Sequence, residues 1–495
     1  MSKVRSAFLL ASLDRYLVTV VNLSVTVIIS RLLDPSEFGL SVLAASAWLI
    51  VECVRDLGTS NYIIQKTDLK DEAVRTVFTV TLILTVLVAI AVALLASTAA
   101  AFYQLPDLEK YLYVTILGFA IGPFVHPINA LIRRDMAFGI LAFMNVAVTV
   151  INGAVCVLLV SLGFSYMSFA WANLASGLSG TLLSLYFYPR FDLFRLTFGE
   201  WRGVLRYGIV DSSAALLSRL WDALPQLMLG RLLSAEAVGL YQRGTLLCRL
   251  PERTLLAGLG AVALPAFAHS ARTGRDLKDG FLRAISIISG VQWPGLLVLV
   301  LLAHPIVSIL LGSRWLDTVP IVQAIGAAML LSLPASVSNA TLIAAGGIRQ
   351  TLTFNLVSVP LSVGILWLAA PHGIQATALS MIVIIPLQTC LMMHLIRRRV
   401  GFQWHELAAA AYKSAIVVCL CAVGPLLIIA SAGFRNDLAL GLAFLALVLA
   451  GFGWLAGLWL THHPIFGELL RVWDALLRTP IGSRATTLAS RFVKL

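Results

Sequence analysis

Polar positions along most of this chain are too sparse to give any helix or strand a wet face. Apolar runs of bilayer-crossing length follow one another from Phe8 to Leu460, and about 20 such residues suffice for a helix to span a membrane. The pattern predicts fourteen spans. Six lie at 8–30, 38–58, 76–102, 111–132, 138–162 and 166–188, and six more at 208–230, 237–266, 283–311, 319–345, 352–371 and 373–396. A last pair covers 407–431 and 438–461. Charges interrupt the spans near 38 and 237.

Loop charges give an orientation. With a cytoplasmic N-terminus and with Arg55 and the span-edge Arg283 counted as loop, 25 Lys and Arg fall in inner segments and 5 in outer ones (Arg31, Lys110, Arg231, Arg314 and Arg435). That is a strong positive-inside asymmetry, and one missed helix scrambles it. An even number of spans with both termini in the cytoplasm follows.

The chain also repeats itself. Arg31-Leu32-Leu33 runs on to Phe38-Gly39-Leu40 after span one, and Arg231-Leu232-Leu233 runs on to Val238-Gly239-Leu240 after span seven, offset by 200 residues. Asn129-Ala130 and Asn339-Ala340 sit alike in spans four and ten. In each long motif Arg ends one helix, Asp34-Pro35 or Ser234 starts the next, and Gly permits close packing between them. Two similar halves about a midline cavity are a common plan of secondary transporters.

The fold class is therefore an all-α polytopic membrane protein of about 14 helices. It has two pseudo-symmetric six-helix lobes and a C-terminal helix pair. The expected division is an N-lobe at 1–188, an amphipathic linker at 189–207, a C-lobe at 208–396, the added pair at 397–461 and a tail at 462–495. The stretches Phe191 to Arg206 and Phe466 to Arg478 read as amphipathic helices on the anionic inner leaflet.

Composition excludes the other classes. The chain is 59% hydrophobic and 12% charged, with mean hydropathy +0.91, where a soluble domain is roughly 25% charged. Disordered chains are likewise charge-rich. The net charge of +12 does not point to nucleic acid, because the basic residues lie mostly in short loops. Six cysteines (Cys53, Cys156, Cys248, Cys390, Cys419, Cys421) sit in or beside apolar runs without metal-ligand or disulfide spacing, so no metal or cofactor is expected. The first apolar run contains Asp14 and Arg15 and has no cleavage signature, unlike a signal peptide.

Charges inside spans are costly and mark cavities or ion pairs. They cluster in spans one, two, seven and eight, the equivalent helices of the two repeats. Span one carries Asp14, Arg15 and Asn22; span two carries Glu52, Arg55 and Asp56. Span seven carries Asp211, Ser218, Arg219 and Asp222, and span eight Gln242, Arg249, Glu252 and Arg253. Arg15, Arg219, Arg249 and Arg253, with Asn22 and Gln242, are the candidate substrate-binding groups. Guanidinium binds phosphate oxygens bidentately and does not deprotonate, so a polyanionic head group such as a pyrophosphate fits them. Asp14, Asp211 and Asp222 are candidates for ion coupling. Structural ion pairs, Arg219 with Asp222 and Arg249 with Glu252, are the plainer alternative, as is Arg55 with Asp56. Prolines within spans, among them Pro123, Pro127, Pro225, Pro251, Pro294 and Pro334, are hinges or static kinks. His126 beside Pro127 is either a proton site or a hydrogen-bonded core histidine. No P-loop, H-E-x-x-H or G-x-S-x-G motif occurs, and no outer loop is long enough for a catalytic domain.

The string Arg31-Leu32-Leu33-Asp34-Pro35-Ser36-Glu37-Phe38-Gly39, then Asp56-Leu57-Gly58, resembles the opening of bacterial Wzx-type flippases, the polysaccharide transporter family. These belong to the multidrug/oligosaccharidyl-lipid/polysaccharide exporter superfamily. Gly230 to Tyr241 and Leu131 to Phe138 look like that family too, and the nearest members are exopolysaccharide (succinoglycan-like) and lipopolysaccharide exporters. The resemblance implies two lobes rocking between inward-open and outward-open states. It implies a lipid-linked oligosaccharide repeat unit on undecaprenyl pyrophosphate as cargo, flipped across the bacterial inner membrane. It also implies membrane lipids, a polysaccharide polymerase and a chain-length regulator as partners, and no enzyme activity. Family members often carry cavity arginines, which map by span onto Arg15, Arg219, Arg249 and Arg253. The last helix pair forms a lipid-accessible groove in lipid II flippases of the superfamily, but span thirteen here has only Lys413 as a polar mark. A drug or organic-cation antiporter, a membrane polymerase or ligase, and a structural assembly partner are the other readings.

Overall fold

The computed structural model describes residues 2–56, 59–66, 68–252, 277–433 and 437–467. The first half holds α1 (Ser2–Leu32), α2 (Pro35–Asp56), the short α3 (Thr59–Gln65), α4 (Asp71–Tyr103), α5 (Asp107–Arg134), α6 (Phe138–Ser161) and α7 (Met167–Phe187). After a connecting segment come α8 (Trp201–Leu232), α9 (235–252), α10 (Leu277–Leu301), α11 (Ala303–Leu310), α12 (Val319–Leu330) and α13 (Ala335–Ala344). Then follow α14 (Ile348–Ala369), α15 (Ile374–Val400), α16 (Trp404–Ser431) and α17 (Leu440–Leu460). Ten helices among the described residues are long and apolar enough to cross a membrane. The protein is a multi-pass helical membrane protein.

Local chemistry sets the turns. Pro35 opens α2, where its missing N–H has no partner to lose, and the Glu37 carboxylate accepts the Asp34 N–H at 3.3 Å. The Ser234 hydroxyl accepts the Ala237 N–H at 3.2 Å and starts α9 in the same way. Gly401 ends α15 in the left-handed region at φ 79°, which glycine enters without steric cost.

In the first half α1 packs on α6, α4 on α5, and both α5 and α6 on α7. In the second half α12 lies between α10 and α15. Helix α8 runs beside α2 and so joins the halves along its length. The largest apolar cluster spans both, with Phe38 and Val42 from α2 among residues of α8 to α15. The final pair docks on α10. Ser289 donates to the Ser414 hydroxyl at 2.8 Å, and Trp454 Nε1 donates to the Gly290 carbonyl at 2.9 Å. Buried His463 accepts the Ile465 N–H at Nδ1 (3.3 Å), which leaves Nε2–H to meet Ser414 at 3.1 Å.

Three expectations change. The run 283–311 is two helices, parted at Leu302 just before Pro305. The run 319–345 is also broken, at residues 331–334. Pro334 supplies no N–H there, and Trp293 Nε1 takes up the Ser332 carbonyl at 2.9 Å. The third concerns Phe191 to Arg206, which is no continuous surface helix. A 3-10 turn at Phe191–Phe194 buries Leu193, and α8 begins at Trp201. Phe194 sits against Phe78 and Phe124 at 5.2 and 5.3 Å, so aromatic packing fixes this face to the first half, while Phe191, Leu196 and Phe198 stay exposed. Of the tail, residues beyond 467 lie outside the described residues, and with them most of the expected amphipathic stretch.

Candidate functional site

Arg15 on α1, Arg219 on α8 and Arg249 on α9 are all exposed, and none is ion-paired among the described residues. The pairs Arg219 with Asp222 and Arg249 with Glu252, expected as alternatives, do not form. Asn22 and Asp222 are exposed as well. Arg253 and the side chains of Asp211 and Ser218 lie outside the described residues. Two candidates find amide partners. Asp14 accepts from Asn145 Nδ2 on α6 at 3.2 Å, its other oxygen buried without a partner. Gln242 meets Gln226 of α8 amide to amide at 2.9 Å. The structure therefore draws Asp14 toward α6 and ties Gln242 to α8, leaving three guanidinium groups uncompensated.

The two repeat motifs face each other and form a seam. Gly39 and Gly239 let the starts of α2 and α9 cross backbone to backbone. A Cβ on Gly39 would overlap the Ala235 carbonyl, and one on Gly239 the Pro35 carbonyl. Arg31 donates to the Ile309 carbonyl at 2.7 Å, Arg314 pairs with Asp34 at 2.9 Å, and Trp315 Nε1 donates to the Ser30 carbonyl at 2.6 Å. A cleft of about 290 Å³ lined by Arg31, Ser308, Ser313 and Arg314 opens onto this end. Beneath it Arg243 of α9 is 5% exposed, with its guanidinium 3.8 Å from the Phe38 ring centroid and 5.5 Å from that of Trp315. Among the described residues it has no carboxylate partner, and its Nε is buried unbonded.

The opposite end is held by ion pairs. Arg190 binds Asp71 at 2.8 Å and Asp192 at 2.9 Å, and Arg75 reaches Asp192 at 3.5 Å. The Arg190 guanidinium, aided by Arg75, holds the Asp192 carboxyl down at about 2. Lys66 pairs with Glu200, which also accepts from the Tyr62 hydroxyl at 3.0 Å. Its bond to Lys66 keeps the Glu200 carboxyl below the usual range. These contacts fasten the connecting segment and the first turn of α8 to the first half.

A sequence profile of the family described as "Polysaccharide biosynthesis protein" matches residues 28–320, more than half of the chain. The chain belongs to that family. It is 24% identical over 333 residues to "Lipopolysaccharide biosynthesis protein WzxC" of Escherichia coli (strain K12), covering 66% of this chain and 67% of that one. It is 21% identical over 337 residues to "Teichuronic acid biosynthesis protein TuaB" of Bacillus subtilis (strain 168), covering 68% and 70%. Among solved structures, lipid II flippase MurJ in an inward closed conformation matches with TM-score 0.71 at 10% identity, over 93% of this chain and 100% of that one. An inward-facing multidrug resistance MATE transporter matches with TM-score 0.63 at 15% identity, over 78% and 94%. At such identities these structures establish the fold.

The matched stretch of this chain contains both seam motifs and Arg243. Arg243 escaped the sequence reading because the repeat offset pairs it with Leu43, so no echo marked it. Arg55 was read beside Asp56, yet it turns the other way. It donates to Glu52 at 3.0 Å and meets His126 Nε2 at 2.9 Å, with its guanidinium 4.4 Å from the Phe119 centroid. The spacing Phe119, Gly122, His126 on one face of α5 was the available signal, since three and four residues apart share a helix face.

Proposed function

We propose that this chain is a flippase. It carries a lipid-linked oligosaccharide repeat unit on undecaprenyl pyrophosphate across the bacterial inner membrane by alternating access, for exopolysaccharide, O-antigen or capsule assembly. Its lobes are the segments 1–188 and 208–396, joined by 189–207, with 397–461 an added pair and 462–495 a cytoplasmic tail. Both termini are cytoplasmic, which puts the seam at the outer end and the ion-paired connection at the inner end. The loop charges support this orientation. The relatives' roles in lipopolysaccharide and teichuronic acid biosynthesis support a polysaccharide precursor as cargo. The reading treats the chain as a transporter without an active site, working beside a polymerase and a chain-length regulator.

One observation carries the anionic cargo: Arg15 on α1, Arg219 on α8 and Arg249 on α9 are exposed and have no acidic partner among the described residues. Such groups cost about 2.5–3.5 kcal/mol each at mid-depth, a cost that a pyrophosphate bound between lobes offsets. With Arg253, Asn22 and Gln242 they form the proposed cargo site. Asp14, with one carboxylate oxygen buried and unbonded, leads the ion-coupling candidates, ahead of Asp211 and Asp222.

Flux of a pyrophosphate-linked oligosaccharide into proteoliposomes tests this. The double variant Arg249→Ala, Arg253→Ala should lose at least about tenfold in flux, a modest share of two charge-assisted contacts, while still inserting in the membrane. Unchanged flux removes both from the site. Uptake of an organic cation in place of the oligosaccharide would establish the antiporter reading instead. Flux that persists with proton and sodium gradients collapsed would remove the coupling role of the three aspartates.

A further inference from the structure

The cluster at Arg55 is not used by the cargo site, yet it is built with care. Arg55 is 3% exposed, although it lies within two residues of the end of α2. Its guanidinium leaves α2 and seats on one face of α5. Phe119 lies beneath it, His126 accepts at its edge, and Gly122 gives it room, since a Cβ there would overlap Arg55 Nη1. Trp48 of α2 also meets Phe119 edge-on at 4.7 Å.

The hydrogen bond fixes the state of the histidine. A guanidinium only donates. His126 Nε2 must therefore offer its lone pair, so the ring is neutral with its proton on Nδ1. A proton arriving at Nε2 would oppose one N–H donor with another at 2.9 Å and put two cations together. Arg55 has a place to go, because Glu52, its other partner, keeps a side chain 47% exposed. The charges acting most on the ring are Arg55, Asp56 and Glu52 from α2 and Arg133 from α5 itself. Helices α3, α6 and α7 carry no Asp, Glu, Lys or Arg. Helix α4 has such residues only in its first turns, where Arg75 reaches Asp192 and Glu72 lies against Gly199.

We propose that His126 is a proton-binding site that latches α2 to α5: neutral, it holds Arg55 seated, and protonated, it expels Arg55 and frees the inner end of α2. The helix it frees is the one that lies along α8 and supplies Phe38 and Gly39 to the seam. A proton taken up at one end of α2 thus acts on the helix that joins the halves. Pro123 and Pro127 flank His126 and remove two backbone donors from α5, which lets that helix yield locally when the contact breaks. The use of the latch in transport rests on the flippase reading, but the latch itself needs no cargo.

The test therefore uses cargo-free protein in nanodiscs, with its native cysteines replaced by alanine and spin labels at Val54→Cys and Met136→Cys, both exposed positions. The distance between the labels should fall into a seated and a released population. Their ratio should change by at least about tenfold between pH 8 and pH 5, since one proton shifts a linked equilibrium up to tenfold per pH unit. His126→Gln should hold the seated distance at both pH values, and Gly122→Ala should hold the released one. A wild-type ratio flat from pH 5 to pH 8, or a His126→Gln ratio that titrates as the wild type does, overturns the latch. Nitrogen NMR of the histidine rings gives a check free of α5 variants: His126 should carry its proton on Nδ1 at pH 8, and an Nε2–H tautomer overturns the proposal. Loss of oligosaccharide flux from wild-type protein counts against the flippase reading and leaves these outcomes untouched.

Discussion

The two ends of the molecule are held together by different chemistry. At the seam, the halves meet through backbone carbonyls, one exposed ion pair, crossing glycines and a guanidinium lying on aromatic rings. At the other end, a chain of ion pairs fixes the connecting segment to the first half. The seam is suited to opening. Arg31, Asp34 and Arg314 are exposed already, so parting them leaves nothing newly desolvated, and exposed ion pairs contribute only about 0–1 kcal/mol. Arg243 even favours opening. Burying a cation without a carboxylate costs several kcal/mol, against about 2 kcal/mol or more returned by a desolvated aromatic face. Close backbone packing and the shared apolar cluster hold the seam shut against that cost. The ion-paired end is the joint that ties the connecting segment and the start of α8 to the first half.

The sharpest way to break this contrast is to prop the seam. Gly39→Leu puts a side chain where the Ala235 carbonyl lies. Closure should be disfavoured by about 3 kcal/mol or more, the upper range of overpacking costs, and labels across the seam should report separation. A Gly39→Leu protein that closes normally would show that the crossing does not control the seam. Next is Arg243→Met, which keeps the apolar stem and deletes the charge. The closed state should gain about 1–2 kcal/mol, a five- to thirtyfold population shift, with slower flux. A shift toward open would mean that the cation–π contacts outweigh desolvation. Arg314→Gln should change closure by under about 1 kcal/mol, and a larger effect would give the exposed pair a weight the comparison denies it.

The smallest effect concerns the joint. The Asp192 carboxyl lies at about 2 against an ordinary 3.8. A depressed carboxyl contributes stability that is complete above its unfolded value and is lost as pH falls toward the folded one. Proteolysis of the connecting segment should therefore distinguish wild type from Asp192→Asn above about pH 4, with the difference closing toward pH 2. A constant difference across that window would remove Asp192 from the joint.

Much of this was legible in the chain. Apolar run length gave the membrane helices, and the 200-residue echo of Arg31 to Leu40 at Arg231 to Leu240 marked the motifs that form the seam. The breaks at Leu302 and at residues 331–334 were not legible, because a broken helix can keep an unbroken apolar pattern. Nor was the partner of Arg55. Asp56 is its sequence neighbour, but adjacent helical side chains diverge, and Glu52 and His126 are the groups within reach. Arg243 looked like one more polar interruption of a weak span.

The sequence by itself determined the class, a helical multi-pass membrane protein, and showed the motif that occurs twice, because crossing a bilayer and meeting the same packing twice both impose local constraints on residue type. Only the tertiary structure decided that the two repeat motifs touch each other, that Arg243 lies unpaired on Phe38, and that Arg55 seats on α5. Those facts depend on which faces meet across hundreds of residues, and apolar helices carry little polarity to mark a face in advance.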